Sequence, residues 1–110
     1  MHFNFVTKKN TLYVKIVGEL DHHGAEEIRD KLDSKIITEG ICNLVFDFSG
    51  LTLMDSSGIG VIIGRYKLIR SLGGEVKIVS GSKSVDKLLQ MSAIGDIIPI
   101  TDQIEEENII

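Results

Sequence analysis

The residues best suited to chemistry lie in one run, Leu53-Met54-Asp55-Ser56-Ser57-Gly58-Ile59-Gly60. Two serines follow an aspartate and precede a stretch of helical periodicity. A short polar side chain in that position ordinarily caps the helix by accepting a backbone N–H. The paired hydroxyls and the glycines behind them add a second reading. A helix start presents N–H groups and the positive end of the dipole, which suits a phosphate carried by a ligand or by a modified serine. From these residues alone, Ser56 and Ser57 are equal candidates for the acceptor. Asp21-His22-His23 is a second cluster of reactive types. With Ser56 it spells out a Ser–His–Asp hydrolase, but the serine lacks the G-x-S-x-G elbow and only the helix start offers an oxyanion site. As a metal site the cluster is poor, because adjacent histidines project in different directions and Cys42 sits in a separate segment. Gly58, Gly60 and Gly64 give GxGxxxG, not the GxGxxG of dinucleotide binding, and no GxxxxGK[ST] is present. The residues therefore read as those of a non-enzyme, with no cofactor and no metal of its own.

Strands alternating with helices must position these runs. Phe3 and Phe5, then Leu12, Val14 and Ile16, alternate on either side of Lys8-Lys9-Asn10 and predict an antiparallel hairpin. Ala25, Ile28, Leu32 and Ile36 fall at helical spacing and predict a one-sided helix ending near Gly40. Residues 43–48 predict a central strand, with Asp47 interrupting a buried run. A second helix runs from the Asp55-Ser56-Ser57 start to Gly73-Gly74, and residues 76–79 form a strand. A third helix spans residues 84–92, residues 97–100 add an edge strand that tolerates Pro99, and Asp102 with Glu105 predicts a short last helix. Strand–helix–strand connections join parallel strands, so the ends of three strands share one rim. The loops at residues 18–23, 49–57 and 80–82 meet there.

The second helix carries more apolar surface than one stripe needs. Ile59, Ile62, Ile63, Tyr66 and Ile69 form one band and Val61, Leu68 and Leu72 another, while Gly60 and Gly64 flatten one border. Either the helix is wedged between sheet and neighbour, or its start is a flat docking patch.

Composition sets the outer limits. With 110 residues, 12 basic against 16 acidic, and 43% hydrophobic, the chain is expected to be one globular domain, 1–110. The net charge of −4 argues against direct nucleic-acid binding. No apolar run approaches the roughly 18 residues of a membrane span, so membrane insertion is not expected. Cys42 is the single cysteine, and there is no signal-peptide pattern, so a reducing cytoplasm is the expected location.

Three stretches carry a resemblance: Gly18-Glu19-Leu20-Asp21-His22-His23, the run MDSSGIGVIIGRYK beginning at Met54, and Gly73-Gly74-Glu75-Val76. Over nearly its whole length the chain resembles the STAS-domain anti-sigma-factor antagonists, and DHH after GEL points to their sporulation branch rather than the stress-response branch. The resemblance implies an α/β, STAS-like single domain. Its sheet is mixed and mostly parallel, of four to five strands, with an N-terminal hairpin and about four helices. It also implies a partner-switching regulator. The unphosphorylated form binds an anti-sigma factor and releases the sigma factor. The anti-sigma factor is a serine kinase that uses ATP to phosphorylate Ser56, and a PP2C-type phosphatase reverses the reaction. In that picture Asp21 and Asp55 contact the partner or orient the kinase, and Ser57, Gly58, Ile59, Gly60 and Ile63 form the docking surface. Arg65 and Lys67 pair with acidic groups of the partner or, for Lys67, are simply solvated. The competing class is a nucleotide- or small-ligand-binding STAS module that uses backbone donors of the 58–64 segment.

Overall fold

The alternation at the start of the chain folds as a hairpin. A computed structural model describes residues 1–102, and in it β1 (His2–Lys8) pairs antiparallel with β2 (Thr11–Leu20). Lys9, at the turn, takes a left-handed φ of 55°. Next come β3 (Asn43–Met54), β4 (Val76–Val79) and β5 (Ile100–Thr101), each parallel to the strand before it. The result is a five-stranded mixed sheet in the order β1-β2-β3-β4-β5.

Period-two burial decides which sheet face is covered. Val14, Phe46 and Ile78 are in register across β2, β3 and β4, and with Leu12, Ile16, Leu44, Phe48 and Val76 they form one buried apolar face. Phe3 and Phe5 extend it into β1, half-buried. On the opposite face Lys15, Val17 and Lys77 are exposed. Helix α1 (His22–Thr38) connects β2 to β3, and α2 (Ser56–Ser71) connects β3 to β4. Because the strands advance in one direction, right-handed crossovers put both helices on the same side. Ile28, Leu32 and Ile36 of α1 and Val61, Ile62 and Ile69 of α2 join the sheet residues in one core. Each such side chain, fully buried, contributes about 1.5–3 kcal/mol. Gly73 ends the region after α2 with φ 82°, and at Gly74 any Cβ would collide with the Cys42 carbonyl. Helix α3 (Lys83–Met91) and a single 3-10 turn (Ile94–Asp96) complete the described residues.

Several boundaries differ from those the pattern predicts. β3 continues to Met54, so most of the expected 49–57 loop is strand. Its second half pairs with the end of β2 through two register shifts, which break the alternation that would have marked it. Gly50 permits the approach, because a Cβ there would lie 2.9 Å from Val17 Cγ2. Helix α1 starts three residues before Ala25, at His22, since Asp21 caps it. At the edge, Ile97 to Pro99 are not strand; only Ile100 and Thr101 pair with β4. Three α-helices and the 3-10 turn stand against about four expected helices, and the helix expected from Asp102 and Glu105 lies outside the described residues.

Candidate functional site

The register of β2 on β3 builds the site. Leu20 is paired with Met54, and each is the last residue of its strand. One residue further on, Asp21 and Asp55 are therefore neighbours, and a hydrogen bond from the Asp55 N–H to the Leu20 carbonyl (3.4 Å) ties the two ends together. Each aspartate caps a helix. Asp21 Oδ1 accepts from the Gly24 N–H at 2.9 Å, and Asp55 Oδ1 accepts from the Ser57 N–H at 2.8 Å. Two carboxylates and two helix starts thus share one rim. The Gly24 N–H chiefly holds the Asp21 carboxyl below its ordinary pKa; desolvation opposes it, and nearby His23 lends a lesser help.

The two serines differ in surroundings. Ser56 opens α2, is exposed, and has no side-chain hydrogen bond among the described residues. Ser57 is half-buried, and its Oγ lies 3.3 Å from His22 Nδ1 at the start of α1. The other ring nitrogen of His22, Nε2, lies 3.2 Å from Glu26 Oε1. Glu26, His22 and Ser57 therefore form a chain that spacing did not reveal. Its only signal is the four-residue separation of His22 and Glu26, legible once α1 is known to begin at His22.

The helix start is not an open phosphate cradle. The Ser57 N–H goes to the Asp55 carboxylate and the Gly58 N–H to the Asp55 carbonyl at 3.0 Å. Residues 58–64, whose backbone donors a nucleotide or small ligand would need, lie inside α2, where backbone N–H groups bond to the preceding turn.

Beyond the serines, the expected docking residues separate. Gly60 is exposed and Gly64 half-buried, and a Cβ at either would meet nothing within 4 Å. With Ser56 they form a nearly side-chain-free stripe at helical spacing, which ends at the exposed Lys67. Ile59 and Ile63 are half-buried and packed on the core beside it. Gly58 needs correcting: it is buried, and a Cβ would run into Met54 Cγ and Sδ, so its missing side chain serves packing rather than docking. Arg65 is corrected too. It is 9% exposed and its Nε lies 2.9 Å from Asp33 Oδ1 of α1, so it is committed within the chain rather than offered to a partner. Among the described residues, no helix is long and apolar enough to cross a membrane.

Comparison with known proteins gives the family of the chain. Residues 2–107 match the STAS domain family. The chain is 42% identical over 94 residues to the anti-sigma F factor antagonist of Paenibacillus polymyxa, covering 86% of this chain and 80% of that protein. It is 31% identical over 107 residues to the anti-sigma-B factor antagonist of Bacillus subtilis, covering 96% of each. Among solved structures it is similar to the anti-sigma factor antagonist SpoIIAA in its unphosphorylated form, with a TM-score of 0.88, 32% identity, and coverage of 98% of this chain and 93% of that one. The phosphorylated form of the Bacillus cell fate determinant SpoIIAA superposes with a TM-score of 0.80 at 31% identity, covering 98% and 96%.

Proposed function

Because the chain belongs to the STAS domain family, and its relatives are anti-sigma factor antagonists, we propose that it is an anti-sigma factor antagonist switched by phosphorylation of Ser56. The unphosphorylated chain binds an anti-sigma factor that is also a serine kinase, and the sigma factor is released to direct sporulation transcription. The kinase supplies ATP. Ser56 Oγ attacks the γ-phosphorus, the bond from that phosphorus to the β–γ bridging oxygen breaks, ADP leaves, and the hydroxyl proton passes to a base of the kinase. A PP2C-type phosphatase restores the hydroxyl. The chain itself performs no catalysis and holds no cofactor.

The observation that carries this reading is the position of Ser56: exposed, without a side-chain partner, at the head of the flat Gly60–Gly64 stripe. Such a stripe lets a partner surface approach the helix backbone closely, with Ile59 and Ile63 at its margin. A phosphate at its head adds about −1.5 to −2 charge and three acceptor oxygens. It would stand beside two carboxylates, Asp21 and Asp55, with the Ser57 and Gly58 N–H groups already used by Asp55. Repulsion and bulk then act where the partner must sit, and no refolding is needed. A loss of about 3 kcal/mol weakens a complex more than a hundredfold.

The test is incubation of the purified chain with its anti-sigma factor and ATP, followed by intact mass and site mapping by fragmentation. One phosphate on Ser56, and a Ser56→Ala chain that binds the kinase but takes up no phosphate, are expected. No addition with an active kinase would overturn the switch and leave a nucleotide- or small-ligand-binding module.

A further inference from the structure

The signature of this site contains two adjacent serines, and the geometry at α1 treats them differently. His22 Nε2 faces the Glu26 carboxylate at 3.2 Å. A carboxylate only accepts, so that nitrogen carries the proton, and in the neutral ring Nδ1 is left as an acceptor. The group in front of Nδ1 is the Ser57 hydroxyl at 3.3 Å, which therefore donates. Ser57 is thereby turned toward α1 and half-buried, while Ser56 is exposed and without a side-chain hydrogen bond among the described residues.

We infer that His22, held in place by Glu26, is a specificity-determining residue that withholds Ser57 from phosphorylation and leaves Ser56 as the acceptor. The inference rests on the kinase-switched function proposed above. Phosphorylation of Ser57 would form a Ser57 Oγ–P bond, break the bond from the γ-phosphorus of a nucleoside triphosphate to its bridging oxygen, and release the nucleoside diphosphate. The hydroxyl proton would have to pass to the kinase's base. That proton is already directed at His22 Nδ1, so the hydroxyl must leave this contact and rotate out from α1 before an in-line approach is available. Ser56 has no such contact to break. His22 has no hydrogen bond to Ser56 among the described residues; it acts through Ser57 alone.

The test uses the full chain, its anti-sigma factor kinase and ATP, and reads the ratio of Ser57 to Ser56 phosphate within one sample, which cancels any change in overall docking. In His22→Ala the ratio is expected to rise roughly two- to tenfold, the range set by one neutral hydrogen bond. His22→Asn, whose amide restores a partner near the Nδ1 position, is expected to return the ratio toward wild type. In a Ser56→Ala background, adding His22→Ala is expected to speed labelling of Ser57 by a similar factor. The side chain of His22 is 69% exposed, so its removal leaves the core intact. An unchanged ratio overturns the inference while wild-type labelling on Ser56 leaves the proposed function standing. A fall in Ser57 labelling also overturns it, because His22 would then be activating the hydroxyl. Absence of phosphate on both serines of the wild type overturns the function and the inference together.

Discussion

Arg65 of α2 reaches across to Asp33 of α1, Nε to Oδ1 at 2.9 Å, and fastens together the two helices whose starts form the rim. The pair is close without being aligned as a hydrogen bond, and Arg65 Nη1 is buried with no hydrogen-bond partner among the described residues. Burial lowers the guanidinium pKa, Asp33 raises it, and Arg29 lowers it a little further, yet the group stays cationic. Asp33 is thus chiefly a counter-charge for a cation that burial disfavours. Asp33→Ala is expected to destabilise the fold by about 1–3 kcal/mol, because it strands that cation, with some relief since Asp33 is partly open to water. Arg65→Met, which keeps the stem and removes the charge, is expected to cost less. Urea unfolding of both variants checks the order. If Arg65→Met is the more damaging, the contact stabilises by attraction rather than by neutralisation.

Asp21 links the site to pH. Its carboxyl lies below the ordinary 3.8 in the folded chain, mainly because it accepts the Gly24 N–H. A depressed folded pKa contributes stability that is fully present above the unfolded value and is lost as pH falls through the folded value. Acid should therefore weaken the cap of α1 only below about pH 4. Asparagine caps a helix as well but does not titrate there. Asp21→Asn is expected to lose stability less steeply than wild type as pH is lowered through this range. Thermal melts across the range decide it, and parallel curves for the two proteins would remove Asp21 from the acid response.

Legibility of the sequence divides along physical lines. Elements whose burial follows a single period were readable, among them the Leu12-Val14-Ile16 strand and the Ile28-Leu32-Ile36 helix face. The second half of β3 was not, because the register shifts between Lys15 and Val17 and between Gly18 and Glu19 interrupt the period-two alternation there. For the site, the short-range signal at Asp55 and the serines was visible, since capping is local. What the serines and glycines face was not. Gly58 turns toward Met54 while Gly60, two residues on, looks into open space, and nothing in the glycines themselves distinguishes them. The Arg65–Asp33 and His22–Ser57 contacts join residues 32 and 35 positions apart by number, brought together only because β2 and β3 end side by side.

That contrast between the glycines separates stability from docking. Gly58→Ala pushes a methyl group into Met54 beneath the helix, with Leu20 Cδ2 at 3.2 Å, and is expected to cost about 1–3 kcal/mol even though alanine is the better helix former. Gly60→Ala places its methyl group where no atom lies within 4 Å, so it is expected to stabilise α2 by about 0.5–1 kcal/mol. The same methyl stands on the stripe four residues from Ser56, where the proposed partner must approach the backbone. Gly60→Ala is therefore expected to be the more stable protein and the weaker binder, with affinity for the anti-sigma factor reduced about tenfold, equivalent to about 1.4 kcal/mol. Chemical unfolding and titration calorimetry on the same preparation check both halves. A Gly60→Ala chain that gains stability and binds as tightly as wild type would show that the partner does not sit on this stripe, and the docking surface would have to be sought at the Asp21–Asp55 rim alone.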